Sequence, residues 1–211
     1  MMKLGWLPQP VRSLVRSQRD ALRRIGQQRA LRALAGGGPR KIVIGSSGTR
    51  VPGWTPTDRE LIDLLDDATW RRFFAPGTLD AILAEHVWEH LSAEEGQRAA
   101  VTCCRYLKPG GFLRVAVPDG LHPDADYIRA VKPPADEHRM LYTYASLRDL
   151  FAGAGFEVRL YEYFDEQGRF QFNEWNAEDG MIRRSKRFDP RNAGDRTGYT
   201  SIVLDAVKPD R

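Results

Sequence analysis

The sequence predicts an α/β fold on an open, mainly parallel sheet, and one unit, residues 79–120, carries that expectation through three observations. First, residues 79–84 form an apolar run that follows the turn residues Pro76 and Gly77 and ends in a polar cluster, Glu85, His86, Glu89 and His90. That is the pattern of a buried strand opening into a loop. Second, Ser92 with Glu95 three residues on is a capping box, and Ala99, Ala100, Cys103, Cys104 and Leu107 recur at helical spacing until Pro109-Gly110-Gly111. Third, residues 112–117 form another apolar run, terminated by Pro118-Asp119-Gly120. Strand, crossover helix and strand make a βαβ unit in which both strands end in polar residues, and that end of a parallel sheet is where ligands bind.

The chain has 211 residues, 42% hydrophobic and 28% charged, which fits one domain with an appendage. No apolar run approaches the roughly 20 residues a membrane helix needs. The basic N-terminus lacks an apolar stretch with a cleavage site, so no secretory signal is expected. The two cysteines, Cys103 and Cys104, are adjacent and form neither a disulfide framework nor a C-x-x-C site; a cytoplasmic location is the expectation. The net charge of +4 is uneven: residues 1–41 hold ten basic residues and one acidic, leaving 22 basic against 27 acidic in the rest. The chain therefore divides into a basic helical arm with a glycine-rich joint, residues 1–40, and a domain over residues 41–211.

In chain order, Pro8 and Pro10 precede residues 11–34, where Leu14, Val15, Leu22, Ile25, Leu31 and Leu34 stand among arginines as a loosely amphipathic helix. Its apolar edge can pack on the domain or on a second copy of the chain, as in a homodimer. Its arginines can also attract an anionic membrane surface. Nucleic acid is disfavoured, because no aromatic interleaving or recognition motif accompanies them. Residues 35–39 read as the joint. Residues 41–44 are a β-branched strand followed at once by Gly45-Ser46-Ser47-Gly48-Thr49, small residues that let backbone approach a ligand and leave amide donors free. Residues 61–65 can be a short strand, although Asp66 and Asp67 can equally cap a helix; Trp70, Phe73 and Phe74 are core candidates. Tyr127, Ile128 and Val131 suggest a helical turn within a polar insertion that holds His122, Asp124, Asp126, His138, Tyr142 and Tyr144, the expected lid. A helix over 146–151 closed by Gly153 and Gly155, a strand over 156–164 and a last strand over 199–207 follow. Residues 165–198 connect the last two strands as a hairpin or flap; its Arg183, Arg184, Lys186, Arg187 and Arg191 either pair with neighbouring acids or bind an anionic group.

The string EHVWEHL, followed one helix later by RYLKPGGFLRVAVPDG, resembles the class I S-adenosylmethionine-dependent methyltransferases, in particular a small bacterial group, over residues 41–208. The resemblance implies a Rossmann-like sheet, mostly parallel, with helices on both faces and the last strand antiparallel beside residues 112–117. It implies S-adenosylmethionine as cofactor, with Gly45, Ser46, Ser47 and Gly48 in the place of the loop around the methionine end. That loop departs from the family pattern, since no acidic residue precedes it and only two glycines remain. Residues 53–58 resemble the family's short second strand, whose terminal acid, here Asp58, accepts hydrogen bonds from the ribose hydroxyls. Residues 61–65 take the place of the third strand, with Asp63 near the adenine. Glu85 borders the cofactor, and His86 is the first choice of general base, because an imidazole titrates near neutral pH. His138 is the second choice. Asp119, His122 and Tyr142 line the acceptor mouth, and Arg183 offers a contact to an acidic acceptor.

Residues 86–90 also spell H-x-x-E-H, a zinc-hydrolase signature that needs both histidines on one helical face and a third ligand. The segment follows a strand, and the helix cap comes only at Ser92, so that context is missing and no metal site is assigned. The expected function is methyl transfer from S-adenosylmethionine to an oxygen or nitrogen of a small or saccharide-like acceptor. The alternatives are a non-catalytic methyltransferase-like module recruited through the arm and, third, the zinc hydrolase.

Overall fold

A computed structural model describes residues 9–34, 37–192, 194 and 197–210. Pro8, the Ala35 and Gly36 of the joint and the Leu14 side chain lie outside the described residues. Seven strands form one sheet: β1 (Lys41–Ile44), β2 (Thr55–Pro56), β3 (Leu79–Glu85), β4 (Leu107–Pro118), β5 (Glu157–Phe164), β6 (Phe170–Phe172) and β7 (Ser201–Val207). Their order is β2-β1-β3-β4-β7-β5-β6. The pairs β2/β1, β1/β3 and β3/β4 are parallel, whereas β7 runs antiparallel between β4 and β5. The sheet is therefore mostly parallel with antiparallel last strands, as expected.

The helices are α1 (Gln9–Ala33), α2 (Asp67–Arg71), α3 (Ala93–Tyr106), α4 (Ala125–Val131) and α5 (Tyr144–Gly153). The Ser92 side chain accepts from Glu95 N–H and the Glu95 carboxylate from Ser92 N–H, so the capping box that starts α3 is formed. Alternation along β3 sends Ile82 and Ala84 into one apolar layer with Ala99, Cys103, Leu147 and Phe151 of α3 and α5, and Ala81 and Leu83 into the other. The second layer is completed by Val51, Trp54, Trp175 and Ile182 from the two long connections.

Three elements differ from expectation. Residues 61–65 are not a strand: Leu61 and Ile62 N–H donate to Asp58 O at 2.9 and 3.1 Å, and Leu65 N–H to the Asp63 carboxylate at 2.9 Å. Those local bonds turn the chain, so its leucines enter the core from a loop. Pro109-Gly110-Gly111 does not close the helix but belongs to β4, with Gly110 N–H donating to Lys208 O at 2.9 Å. On α1, Leu22 and Ile25 are 69% and 45% exposed, and among its described side chains the buried ones are Gln27 and Leu31. The helix thus docks through a polar residue and its last turns.

The described part of the 165–198 connection is a β5/β6 hairpin followed by a strap over residues 173–192. Arg114 of β4, 2% exposed, forms a two-pronged pair with Asp205 at 2.8 and 2.9 Å and donates to Asn176 O and Gly180 O at 2.8 and 2.9 Å, pinning the strap to the sheet.

Candidate active site

The carboxyl ends of β1, β2 and β3 meet at the loop after β1. Gly45, Ser47 and Gly48 have φ of +61°, +47° and +87°, so the loop folds back tightly after the strand. Ser46 N–H donates to Thr57 O at 2.9 Å and Thr57 N–H to Val43 O at 2.8 Å, which brings Asp58 beside it. Both Asp58 oxygens are engaged. Oδ1 accepts from Ser47 N–H at 2.8 Å and the Ser46 hydroxyl at 3.1 Å; Oδ2 accepts from Gln27 Nε2 of α1 at 2.9 Å, with Arg23 Nε at 3.4 Å.

Glu85, at the end of β3, accepts from the backbone N–H of Arg184 at 2.9 Å and of Arg183 at 3.3 Å, and both guanidinium groups lie within 3.7 Å. A Cβ on Gly45 would stand 2.9 Å from Val87 Cγ2, so the loop already abuts the turn after β3. The crevice among Gly45, Ser46, Thr49, Glu85 and Arg183 measures about 20 Å³, against roughly 300–1,000 Å³ for ligand pockets in general. The polar set fits a ribose-bearing cofactor in kind, but Gln27 and Arg23 of α1 occupy Asp58, and Arg183 of the strap borders the crevice. Asp63 is held in its own turn by Leu65 N–H and Arg59 Nε.

The polar cluster is built by a strained strand end. His86 adopts φ +57°, a left-handed conformation uncommon outside glycine, while its N–H extends the β3/β4 ladder to Ala116 O at 2.8 Å. Its ring stands between Ser201, with Nε2 3.0 Å from the hydroxyl oxygen, and Glu89, with Nδ1 3.1 Å from Oε1. Trp88–His90 is a single 3₁₀ turn, so the pentad is not the helix that the zinc-hydrolase signature requires, and His86 and His90 have different partners. His90 instead packs edge-on against His138, ring centres 5.0 Å apart. The Glu89 carbonyl accepts from Arg139 and Met140 N–H at 2.7 and 3.0 Å, which ties the turn to the insertion.

Asp119, His122 and Tyr142 lie near one another, Asp119 forming a β-bridge with Tyr142 and donating its N–H to the Tyr127 hydroxyl beneath His122, but all three are buried. Asp119 is sealed from solvent, accepting from Phe164 N–H at 2.7 Å and Leu121 N–H at 2.9 Å; burial pushes its carboxyl up to about 6. His122 is also buried, with Nε2 donating to Thr197 O at 2.8 Å and the ring stacked on Tyr127; desolvation lowers its basicity. Tyr142, 3% exposed, has a hydroxyl without a partner, pushed up to about 12 by burial and then by the Glu89 charge. Arg183 is at the rim, its side chain half exposed. Arg187 and Arg191 pair with Glu174 and Asp189, the first of the two expected outcomes. Ser201, Gln27 and Arg23 escaped the sequence reading. Gln27 is four residues before Leu31 and so shares its face, a signal that apolar periodicity overlooks; no local pattern marks Ser201.

A family model described as a methyltransferase domain matches residues 41–161, more than half of the chain. No curated protein matches. Among solved structures, a SAM-dependent methyltransferase from Thermotoga maritima aligns at TM-score 0.50 with 15% identity, covering 93% of this chain and 97% of that one. One from Archaeoglobus fulgidus aligns at 0.49 with 14% identity, covering 87% and 93%. A chain of the complex between the Haloferax volcanii Trm112 methyltransferase activator and a methyltransferase aligns at 0.48 with 16% identity, covering 89% and 80%. At these identities the Thermotoga likeness bears on the fold alone. The matched domain includes β1 to β4 with the loop after β1, Asp58 and the polar cluster, and on that match the chain belongs to the class I S-adenosylmethionine-dependent methyltransferase family.

Proposed function

We propose that this chain transfers a methyl group from S-adenosylmethionine to an oxygen or nitrogen of a small or saccharide-like acceptor. The observation that carries the reading is the Asp58 carboxylate, set after β2 against the glycine-bearing loop after β1. A carboxylate there can accept two hydrogen bonds from a vicinal diol. Asp58 would hold the ribose, Gly45, Ser46, Ser47 and Gly48 would border the methionine end, Asp63 would stand on the adenine side, and Glu85 would close the cofactor edge. When bound, the cofactor supplies a methyl group already activated on a sulfonium, so the protein's share is alignment, on the order of 7–11 kcal/mol in favourable cases, and removal of the acceptor's proton.

His86 suits that removal. In the tautomer protonated on Nδ1, which lies 3.1 Å from Glu89 Oε1 without hydrogen-bond alignment, Nε2 has its lone pair toward the Ser201 hydroxyl. The acceptor proton would pass to Nε2, worth about 10²–10⁴-fold. Tyr142 would border the mouth, with Arg183 at its rim toward an acidic or sugar acceptor.

Calorimetric titration with S-adenosylmethionine and S-adenosylhomocysteine, on the intact protein and on Asp58→Ala, tests the reading. Micromolar binding that weakens tenfold or more in the variant, about 1.4 kcal/mol, is the expected result, followed by turnover with a panel of hydroxyl and amine acceptors that Asp58→Ala loses. The closed crevice favours one other reading, a non-catalytic module recruited through its basic arm. Folded, intact protein that binds neither compound would select that module.

A further inference from the structure

Glu89, His90 and His138 each direct one ligand atom into a common space, all within 4.8 Å of one another. The carboxylate is the anomaly. Glu89 is 1% exposed, yet neither oxygen has an aligned hydrogen-bond donor, the 3.1 Å approach of His86 Nδ1 to Oε1 being an ion-pair distance only. Buried polar atoms almost always have partners, and an orphaned carboxylate points to an absent cation or water. The neighbouring Tyr142 hydroxyl is buried and unpartnered as well.

Both histidines are oriented as ligands. His138, 6% exposed, has Nδ1 2.7 Å from Val131 O; a carbonyl only accepts, so Nδ1 carries the proton and Nε2 presents a lone pair. His90 has Nδ1 3.4 Å from Glu137 O, a longer contact of the same kind, and stands at the solvent edge. A backbone carbonyl on the far ring nitrogen is how proteins fix the tautomer and direction of metal-binding imidazoles.

We propose that Glu89, His90 and His138 bind a divalent first-row transition ion, zinc in the first instance, leaving a fourth position open toward solvent. Two imidazole nitrogens and one carboxylate oxygen suit such an ion and not calcium or magnesium, which favour oxygen ligands throughout. Ligand distances of about 2.0–2.2 Å require the three side chains to draw together by a fraction of an ångström to about an ångström. The site is not the H-x-x-E-H arrangement: His86 remains on Ser201, and the third ligand comes from the insertion. The bound ion fastens the turn after β3 to the segment after α4, at the mouth where an acceptor would enter. The proposal is independent of cofactor binding.

The test uses full-length protein without affinity histidines, stripped with a chelator and titrated with zinc chloride against a competing chelator, then with cobalt chloride for its visible spectrum. One equivalent of zinc with sub-micromolar affinity is expected, with the cobalt bands of a nitrogen- and oxygen-ligated site. His90→Ala and His138→Ala should each weaken binding by about ten- to a hundredfold, and Cys104→Ser should change nothing. His90→Ala should also fold normally and lose the zinc-induced rise in melting temperature, which separates ligand loss from misfolding. Binding of less than a fifth of an equivalent, or affinity unchanged in both histidine variants, would overturn the site. Loss of binding in Cys104→Ser would overturn it as well, by locating the ion elsewhere.

Discussion

Asp119 shows how a residue read as acceptor-facing can be structural. Its carboxylate holds the Phe164 and Leu121 amides inside the protein, and burial raises its proton affinity from the ordinary value near 3.8 to about 6, the two amide bonds opposing the shift. The folded chain therefore binds that proton more tightly than the unfolded chain. The associated stability is fully present below about pH 4 and is lost as pH rises to about 6, by roughly 3 kcal/mol at most. His122 acts in the opposite sense: its lowered basicity means that stability is lost as pH falls below the ordinary imidazole range. Urea unfolding of the intact protein and of Asp119→Asn at pH 4.5 and 7.5 separates the two, because the variant keeps His122. Relative to the intact protein, the variant should gain about 2 kcal/mol of stability between the two pH values, the rest of the effect lying below pH 4.5; parallel profiles would mean that Asp119 does not titrate in this range. Sequence could find Asp119 because it follows a strand, but burial is a tertiary property, and nothing local distinguishes it from Asp58. The same limit applies to Glu89, which reads as one polar residue among four and whose isolation from donors exists only once the insertion folds over it.

At the scale of elements, the βαβ unit was legible because its signals are local: a capping box, helical spacing and two apolar runs. The position of β7 between β4 and β5 depends on pairings of residues about ninety positions apart, such as Arg114 with Asp205, and entered only through the family resemblance. Residues 61–65 misled because an apolar run of strand length says nothing of the aspartates that bend it. α1 was legible as a helix, but its docking face was not, since Gln27 rather than Leu22 or Ile25 turns inward. That face has a consequence for the cofactor: the Gln27 amide and the Arg23 guanidinium occupy the carboxylate oxygen that a ribose would need. Gln27→Ala should therefore lower the melting temperature slightly while tightening S-adenosylhomocysteine binding roughly tenfold, as hydrogen bonds to charged groups are worth about 1.5–3 kcal/mol and only one of two competitors is removed. Calorimetry beside a thermal melt reads both. Weaker binding in the variant would show that Gln27 supports the cofactor site instead of competing for it.

For the whole molecule, the two segments that close the crevice, α1 on Asp58 and the strap on Glu85, are held to the sheet unequally. The strap is anchored by Arg114 and by Glu162, which accepts from Trp175 Nε1 at 2.8 Å and Lys186 N–H at 2.7 Å, so it can shift only locally around Arg183 and Arg184. The docked part of α1 buries Gln27 and Leu31 and leaves Leu22 and Ile25 in water. A helix of this length draws most of its stability from packing, so releasing its docked face also loosens its backbone bonds. If the cofactor enters between β1 and β3, α1 must yield first. Hydrogen exchange with and without saturating S-adenosylhomocysteine should then show faster exchange in residues 20–33, slower exchange in residues 45–48, and little change in residues 174–180 beneath Arg114. Protection rising in 20–33 together with 45–48 would mean that the helix stays seated and the loop alone rearranges. In that case the Gln27→Ala variant should not bind more tightly, so the two experiments check each other on the same residue.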